Sequence, residues 1–491
     1  MTILLASFRI VIACALFFSK VSAFTTSPQH IHKVKSGKPT SLYAKEICVL
    51  GGGFGGLNAA LTLSSLPWDD DDKPTVTLVD KKERFVFLPL LYELCVGDAD
   101  FDEVAPTYES LLQGTDIKFR QANIQGIDSD NNSVYIDNEI RADDGKSSSK
   151  IHYDSLIVAT GADVCLEAIP GAESCALPFY TINDCLELRK RLNLLDSLKD
   201  DIKSEINVVV IGGGYSGVEL ALNMKERLAD VGDGAKVTIV HRGQDILECA
   251  EEFNRNTGKD RLQKAGVESL TGSTVTKVID DRSDTEAKGI SNMKGCKVVI
   301  EKDNEDFTLN ADILLWTAGA MSTNSQRGIL NSKIPRDSSG RIVTNQFLAA
   351  KGSDNMFVLG DCSRVKKVPY AGTAAVAMQQ APFAAWNAYA SLMSSSVTSN
   401  EKLKQLPFSY LNLGEMMTLG GEDATISSMG LLEVNGAAAS VLRRLIYAVR
   451  MPTVQQALTA TISSSNKRFE SLLSIAKPKT KTGKSKIIEW Q

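Results

Sequence analysis

Three glycines near the start of the chain have the spacing of a phosphate-binding turn. Gly51, Gly53 and Gly56 form the pattern G-x-G-x-x-G between an apolar run at 47–50, which predicts a buried strand, and a predicted helix. The missing side chains allow a tight turn, close approach of the backbone to a pyrophosphate, and close packing of helix on strand. The helix start adds unpaired N–H groups and the positive end of the helix dipole. The pattern indicates a dinucleotide site, although a glycine turn without a ligand has the same letters.

A second copy of this pattern occurs 161 residues later. Gly212, Gly214 and Gly217 follow another apolar run at 208–211 and lead into another predicted helix. Such a repeat indicates the internal duplication of a whole nucleotide-binding unit. We call each glycine turn, with its flanking strand and helix, the first or the second fingerprint.

The residue at the end of the next predicted strand differs between the two copies. Asp80 lies 24 residues after Gly56, where a carboxylate accepts hydrogen bonds from the adenosine ribose hydroxyls. The matching position in the second copy is His241, which is followed by Arg242. A carboxylate would repel a 2′-phosphate, whereas Arg242 could pair with one. We therefore expect the second copy to accept NADPH, alongside NADH.

Small residues follow three further predicted strands, where the chain can pass close to a cofactor. Thr160 and Gly161 follow one strand, and Gly319 follows the corresponding strand of the second copy. A third buried strand ends in Gly360 and Asp361. Each turn is a weak signal in isolation, and Asp361 could simply cap the helix that follows.

Taken together, the two fingerprints and these strand ends resemble the two-dinucleotide-binding flavoprotein oxidoreductases. Within that group, segments 85–93, 178–181 and 412–420 are similar to type II NAD(P)H:quinone dehydrogenases, closest to the plastid-associated C-type of plants. The resemblance implies an α/β fold with two Rossmann-like domains and a C-terminal membrane-associating segment. It implies FAD in the first domain and NADPH or NADH as substrate in the second. The implied electron acceptor is a prenylated quinone, plastoquinone or a phylloquinone type, without proton pumping.

The resemblance also implies roles for individual residues. Asp361 would bond the ribityl and phosphate part of FAD. The apolar segment 85–92 would form a wall of the flavin pocket, although it could also be core packing alone. Glu219, at the start of the second helix, would be a catalytic residue near the nicotinamide. The alternative for Glu219 is an ordinary glutamate on a helix surface.

Segment 373–381 matches the quinone-facing segment of the family. Its candidate quinone contacts are Ala375, Met378, Gln379 and Gln380. Where the family usually has Ala-Gln-x-Ala-x-Gln, this chain has Ala375 in the place of the first glutamine. Gln379 is kept and is the second catalytic candidate. A helix that lines the flavin with an ordinary apolar face is the alternative.

Composition limits the class of protein. The 491 residues are long enough for several domains, and 43% hydrophobic and 23% charged residues are typical of a globular protein. A net charge of −5 argues against nucleic acid as a partner. The nine cysteines include no C-x-x-C pair, and no metal site is predicted. The predicted division is 46–170 and 326–395 for FAD, 171–325 for NAD(P)H, and 396–491 for quinone, membrane or dimer contacts, with a basic tail.

Both ends of the chain carry signals for location. Residues 1–45 contain no Asp or Glu and combine an apolar run of nine with a hydroxylated, basic stretch. This resembles the bipartite plastid presequence of algae with secondary plastids, with a mitochondrial presequence or a secretory signal as alternatives. Residues 437–451 predict an amphipathic helix with Arg443, Arg444 and Arg450 at its polar edge, which suits a membrane surface. Packing on the protein's own core or across a homodimer is the alternative.

Other functions share parts of this pattern. A sulfide:quinone oxidoreductase has the same scaffold but uses catalytic cysteines, for which Cys165, Cys175 and Cys362 are candidates. The intact second fingerprint favours a pyridine nucleotide donor instead. A soluble FAD-dependent reductase of a protein carrier would not need the hydrophobic C-terminal segment. A nucleotide-binding redox sensor is the alternative that is not an enzyme.

Overall fold

The computed structural model describes residues 45–69, 73–137, 148–280, 295–322, 334–366, 368–396, 403–428, 432–453 and 456. Except for Lys45, the predicted presequence lies outside these residues, and so does the basic tail.

Strands and helices alternate along the chain in a repeated β-α-β arrangement. The elements of the first part are β1 (Glu46–Leu50), α1 (Phe54–Ser65), β2 (Thr75–Asp80), α2 (Leu91–Val96), α3 (Phe101–Val104), α4 (Tyr108–Leu111), β3 (Lys118–Gln121), β4 (Asn123–Asp128), β5 (Ser133–Asp137), β6 (Ser148–His152), β7 (Ser155–Val158) and β8 (Ala162–Val164). Those of the middle part are α5 (Ala172–Cys175), β9 (Leu177–Pro178), α6 (Ile182–Leu198), β10 (Ile206–Ile211), α7 (Tyr215–Arg227), β11 (Ala235–Val240), α8 (Glu252–Lys264), β12 (Glu268–Leu270), β13 (Ser273–Asp280), β14 (Cys296–Lys302), β15 (Glu305–Ala311), β16 (Ile313–Trp316) and β17 (Ala320–Ser322). Those of the last part are β18 (Ile342–Thr344), β19 (Met356–Val358), β20 (Ser363–Val365), α9 (Ala374–Ser396), β21 (Glu415–Thr418), β22 (Ala424–Ser428), β23 (Leu432–Asn435) and α10 (Ala437–Val449). Short 3₁₀ turns occur at Leu88–Leu90 and Gly360–Cys362.

Two five-stranded parallel sheets form the centre of the molecule. The first has the strand order β19-β7-β1-β2-β3, and the second has the order β12-β11-β10-β16-β9. In the first sheet, the fingerprint strand β1 lies between β2 and β7; in the second, β10 lies between β11 and β16. In both cases one neighbour is the next strand of the fingerprint unit and the other ends in a small-residue turn. The central strands β1, β7, β10 and β16 are largely apolar and buried, as expected where both faces of a parallel sheet are covered. The structure confirms the predicted duplication, and β19 completes the first sheet after the chain has formed the second.

Helix α9 lies against α1 through a row of alanines. The fully buried residues Ala381, Ala384, Ala385 and Ala388 recur at helical spacing. Because these side chains are small, the two helices can approach closely. This packing places the start of α9, from Ala374 to Ala377, beside the first fingerprint.

The C-terminal part of the chain is attached to both halves of the molecule. Strands β21, β22 and β23 form an antiparallel sheet. Thr425 of this sheet donates its hydroxyl to Asn254 of α8 at 2.8 Å, which attaches it to the second half. Segment 403–414, which precedes it, is attached to α9 of the first half through Gln379.

Helix α10 has two apolar faces rather than one. Leu442 and Ile446 are buried against the C-terminal sheet, whereas Val441, Leu445 and Val449 are between 38% and 45% exposed. The predicted single apolar side is therefore divided between the protein's own core and an outer face. Among the described residues, no helix combines the length and the apolar character that crossing a bilayer requires.

Candidate active site

The first fingerprint folds into a turn with no room for side chains. Gly51 has a φ of +91° and donates its N–H to the end of β2 at 2.8 Å. A Cβ on Gly56 would overlap the carbonyl oxygen of Gly51. Gly53 caps α1 and faces open space, so phosphate oxygens can reach the N–H groups of the helix start. The Asp80 carboxylate accepts the N–H of Gly52 at 2.6 Å, which places this carboxylate beside the turn.

The second fingerprint has the same backbone geometry. Gly212 has a φ of +115° and donates its N–H to the end of β11 at 2.9 Å. A Cβ on Gly217 would overlap the carbonyl oxygen of Gly212, and Gly214 faces open space. Nδ1 of His241 accepts the N–H of Gly213 at 3.1 Å. The imidazole therefore takes the place that the Asp80 carboxylate has in the first copy.

A cavity of about 710 Å³ extends from the first fingerprint to the start of α7. Its volume is in the range of pockets that hold cofactors. The predicted residues that line it are Gly51, Gly53, Asp80, Thr160, Gly161, Glu219, Gly360, Asp361 and Ala375. Glycines whose Cβ would block the turn, an open helix start and a carboxylate at the end of β2 together fit the pyrophosphate and ribose of FAD.

The segment between Arg84 and Tyr92 contributes to both the core and the cavity. Phe85 and Phe87 are 1% exposed and make edge-to-face contacts with Phe54. Val86 and Tyr92 line the cavity. The core interpretation therefore holds for Phe85 and Phe87, and the wall of the flavin pocket stays a prediction for Val86 and Tyr92.

Asp361 is a half-buried carboxylate in the turn that follows β19. Burial raises the pKa of Asp361, and a hydrogen bond from the Tyr180 side chain opposes this rise. The N–H of the neighbouring Gly360 donates to Oε1 of Gln380 at 2.7 Å. Gln380, which is 1% exposed, therefore holds this turn against α9 and does not line the main cavity.

Of the four predicted quinone contacts, Ala375 is the one that lines the main cavity. Gln379 uses its amide on the backbone of Leu411, donating to the carbonyl oxygen at 2.9 Å and accepting the N–H at 3.0 Å. Met378 is buried in the main core. The structure thus uses the Gln379 amide to attach α9 to segment 403–414, and the quinone contact of Gln379 stays a prediction.

Glu219 is a buried carboxylate that lines the cavity and is 9% exposed. Burial raises the pKa of Glu219 to about 7, while the N–H of Thr418, at 3.0 Å, partly offsets this rise. The Arg443 charge and a hydrogen bond from Tyr92 also lower this pKa, and the Glu93 charge raises it. A carboxyl group with a pKa near 7 can take up and release a proton at physiological pH.

A buried ion pair adjoins Glu219. Arg443 of α10 and Glu93 of α2 are 2% and 4% exposed and form a salt bridge. Nε and Nη1 of Arg443 and Oε2 of Glu93 have no hydrogen-bond partner among the described residues. The sequence places Arg443 at the polar edge of a membrane-facing helix. This prediction is wrong, because the guanidinium is turned inward onto a buried carboxylate.

Tyr215 and Glu415 belong to the cavity lining but are not among the predicted site residues. Tyr215, the first residue of α7, donates its hydroxyl to the Glu415 carboxylate. The same carboxylate accepts the N–H of Glu251 at 2.9 Å. Glu415 belongs to segment 412–420, which the family resemblance already singles out, so that segment is the signal that could have identified it.

The other predicted site residues of the second copy lie outside the main cavity; they are Gly212, Gly214, Gly217, His241, Arg242 and Gly319. His241 is half-buried, and Arg242 and Gly319 are exposed. The structure therefore places the first fingerprint on the main cavity and leaves these residues of the second fingerprint outside it. Tyr215 and Glu219, at the start of α7, belong to the second copy and line the main cavity.

Known proteins are similar to this chain over most of its length. The family described as "Pyridine nucleotide-disulphide oxidoreductase" matches residues 45–381. The demethylphylloquinone reductase NdbB of Synechocystis sp. is 34% identical over 420 residues, which cover 85% of this chain and 95% of that protein. The alternative NAD(P)H-ubiquinone oxidoreductase C1 of Arabidopsis thaliana, described as chloroplastic/mitochondrial, is 36% identical over 432 residues, or 85% of this chain and 80% of that one. The chain belongs to this family, among its type II NAD(P)H:quinone oxidoreductases.

Solved structures support the fold of this type II oxidoreductase. NDH2 of Plasmodium falciparum, solved in complex with NADH, superposes with a TM-score of 0.71 at 18% identity, over 87% of this chain and 98% of that one. The sulfide:quinone oxidoreductase of Aquifex aeolicus has a TM-score of 0.64 at 19% identity, over 88% of this chain and 95% of that one. At these identities the two structures establish the shared fold alone.

The three cysteine candidates for sulfide chemistry lie outside the cavity of this type II oxidoreductase. Cys165, Cys175 and Cys362 are absent from its lining. The Cys362 thiol donates to the carbonyl oxygens of Val158 and Leu359. Burial raises the pKa of the Cys362 thiol, which makes it a poor nucleophile. These positions, together with the family, disfavour sulfide as the electron donor.

Proposed function

We propose that the enzyme transfers two electrons from NAD(P)H through FAD to a prenylated quinone at a membrane surface. The overall reaction converts NAD(P)H, one proton and a quinone into NAD(P)⁺ and a quinol. The observation that carries this proposal is the cavity that begins at the first fingerprint and is also lined by Tyr215 and Glu219 of the second unit. A cofactor held there would lie beside residues of both units.

Residues of the first unit would hold FAD. The helix start after Gly53 offers N–H groups to the pyrophosphate, Asp80 offers a carboxylate to the ribose hydroxyls, and Asp361 would bond the ribityl chain. Thr160 and Gly161 would let the backbone pass close to the cofactor. When bound, FAD supplies the hydride acceptor and the electron relay.

Residues of the second unit would hold NAD(P)H. The turn formed by Gly212, Gly214 and Gly217 leaves N–H groups for the pyrophosphate. Gly319, which has no side chain, would let the backbone lie close to the nicotinamide. Arg242 is exposed beside the end of β11, where it can pair with a 2′-phosphate. NADPH would therefore be accepted alongside NADH.

Glu219 would supply the proton that the reaction consumes. A hydride carries two electrons and one proton, so quinol formation requires one more proton. The pKa of Glu219 is raised to about 7 by burial, which leaves its carboxyl group protonated in a large fraction of molecules at neutral pH. Its hydrogen bond from the Thr418 N–H fixes one oxygen.

The outer face of α10 would contact the membrane that contains the quinone. Val441, Leu445 and Val449 are exposed on this helix, and Arg450, which follows it, lines the cavity. An apolar helix face beside a cationic residue suits the surface of a bilayer. A lipid-dissolved quinone could then enter the cavity from this side.

The plastid is the proposed location. The Arabidopsis relative is described as chloroplastic/mitochondrial, and the Synechocystis relative is named for a demethylphylloquinone. Residues 1–45 would act as the bipartite presequence, and the mitochondrion is the alternative. A fusion of residues 1–45 to a fluorescent protein tests this location. A fluorescence signal confined to mitochondria would contradict the proposed plastid location.

A steady-state assay of the purified, FAD-loaded protein tests the reaction. NADH and NADPH are offered in turn with plastoquinone-type and phylloquinone-type acceptors, and sulfide serves as the competing reductant. We expect nucleotide-dependent quinone reduction. Turnover with sulfide alone, or flavin that neither nucleotide reduces, would contradict the proposed function.

Liposome flotation tests the membrane contact. Leu445→Asp places a charge on the exposed face of α10, whereas Leu186→Asp does the same at a comparably exposed leucine of α6. We expect only Leu445→Asp to reduce flotation, with reduction of a water-soluble quinone retained. Equal flotation of both variants would show that the exposed face of α10 does not contribute to membrane binding.

A further inference from the structure

The loop that follows β11, residues 241–250, is held against both sides of the second fingerprint turn. The N–H of Gly213 donates to Nδ1 of His241 at 3.1 Å, and the carbonyl oxygen of Gly213 accepts the N–H of Leu247 at 2.8 Å. A Cβ on Gly213 would lie 2.6 Å from Ile246 and 2.8 Å from His241. This loop is therefore placed precisely beside the part of the turn that faces a dinucleotide.

A left-handed residue directs the loop back toward His241. Leu247 has a φ of +59° and is 2% exposed, a conformation that branched, bulky residues adopt only when their surroundings impose it. The next residue, Glu248, consequently lies beside Gly243. A Cβ on Gly243 would lie 2.6 Å from Nε2 of His241 and 2.8 Å from Oε1 of Glu248. The imidazole and the carboxylate therefore lie on the same side of Gly243.

His241 cannot replace Asp80 in both of its roles. Asp80 bonds the turn through one oxygen and still carries a negative charge for the ribose hydroxyls. His241 uses Nδ1 to accept the Gly213 N–H, so the proton of the neutral ring is on Nε2. The imidazole therefore bonds the turn but offers no acceptor to a ribose.

Glu248 is the carboxylate of this loop that remains available. Asp245 forms a salt bridge with Lys259. Glu248 is exposed, and its Oε1 accepts the N–H of Asp245 at 2.9 Å. Among the described residues, its Oε2 has no protein donor, so this oxygen can accept a hydrogen bond from a ligand.

We infer that Glu248 is the ribose-binding carboxylate of the second unit and that it favours NADH over NADPH. It restores, seven residues after His241, the acceptor that the second copy lost at the position of Asp80. A carboxylate accepts hydrogen bonds from the 2′- and 3′-hydroxyls and repels a 2′-phosphate. Arg242 acts in the opposite sense, so the two residues together set the ratio between the two donors. This inference rests on the proposed use of the second unit for NAD(P)H.

The variant Glu248→Gln tests this role in the full-length, FAD-loaded protein. We expect the ratio of kcat/KM for NADPH to that for NADH to rise about 10-fold or more, because a charge-assisted hydrogen bond is lost and a repulsion is removed. Calorimetric binding of ADP-ribose and of 2′-phospho-ADP-ribose provides a readout independent of turnover. ADP-ribose should bind the variant more weakly, and 2′-phospho-ADP-ribose more tightly.

Glu252→Gln is the matched control, since it removes an exposed negative charge four residues away, at the start of α8. An unchanged nucleotide ratio in Glu248→Gln would overturn the inference, and so would an equal change in both variants, which would indicate general surface charge. If neither nucleotide reduces the flavin of the unmodified enzyme, the proposed function fails. If both nucleotides reduce it and the ratios do not respond, the role of Glu248 alone fails.

Discussion

The two fingerprints share a backbone but have different surroundings. In each, the first glycine donates its N–H to the end of the next strand, at 2.8 and 2.9 Å, and the last glycine leaves no space for a Cβ against the carbonyl of the first. Different side chains occupy the matching positions around these turns. The pairs are Phe54 and Tyr215, Asn58 and Glu219, and Asp80 and His241.

The first-copy side chains act within their own unit. Phe54 contacts the buried rings of Phe85 and Phe87, and Asn58 donates to the carbonyl oxygen of Phe54 at 2.7 Å. The second-copy side chains reach beyond their unit. Tyr215 bonds Glu415, and Glu219 accepts an N–H from β21. The comparison indicates that the phosphate-binding backbone is common to both copies, whereas the helix start of the second serves the cavity shared by both.

The largest effect should come from adding a side chain at the last glycine of either turn. Gly56→Ala and Gly217→Ala each place a Cβ against a carbonyl oxygen of the same turn, so each turn must shift. We expect Gly56→Ala to be purified without FAD, as measured by absorbance near 450 nm. Gly217→Ala should retain FAD but lose its reduction by NAD(P)H. Loss of FAD from Gly217→Ala alone would reverse the assignment of the two units.

Replacement of Glu219 should have the next largest effect. Glu219→Gln is expected to lower quinone reduction by about 100-fold, within the usual range for loss of a general acid, with FAD retained. Because the pKa of Glu219 is about 7, turnover of the unmodified enzyme should fall as the pH rises through 7, and the variant should lose this dependence. Asn58→Ala, at the matching position of the first copy, should leave the pH profile unchanged. An unaltered profile in Glu219→Gln would contradict the proton role.

The buried ion pair provides variants with opposite effects on the same pH profile. The Arg443 charge lowers the pKa of Glu219, and the Glu93 charge raises it. Arg443→Met should therefore move the fall in turnover to higher pH, and Glu93→Gln should move it to lower pH. Tyr92, Thr418 and the other groups around Glu219 are the same in both variants.

Stability separates this electrostatic effect from damage to the fold. Arg443→Met leaves the Glu93 carboxylate buried without its partner, which should cost about 3–5 kcal/mol of the free energy of unfolding. Arg443→Lys keeps the charge and should keep the pH profile. A shift of both Arg443→Met and Glu93→Gln in the same direction would indicate a general disturbance of the cavity.

The smallest effect is expected for Gln379. Gln379→Leu removes two hydrogen bonds to the backbone of Leu411 and should cost about 1–3 kcal/mol of the free energy of unfolding, measured as a lower Tm. The KM for quinone should stay the same, because Gln379 does not line the cavity. A large rise in this KM with an unchanged Tm would restore Gln379 as a direct quinone contact.

Much of the fold and the first site could be predicted because their signals are local. Glycine spacing, apolar strands and the strand-end residues Asp80, Thr160 and Asp361 each depend on a few consecutive residues, and the duplication repeats the glycine spacing and the small-residue strand end. The roles predicted for Gln379 and Arg443 depend instead on which way a helix is turned. Both residues fit an amphipathic pattern, but their partners, Leu411 and Glu93, lie on other segments of the chain.

The sequence by itself determined that two dinucleotide-binding turns exist, because a glycine that admits no Cβ is required by the backbone wherever the unit is placed. It also indicated the difference between Asp80 and His241. Only the tertiary structure decided that Glu219 is buried beside Glu93 and Arg443, and that Glu248 returns to the side of His241. Glu93, Glu219 and Arg443 lie on separate segments that the packing of α10 brings together, whereas Glu248 returns to His241 within one loop because Leu247 has a left-handed backbone conformation.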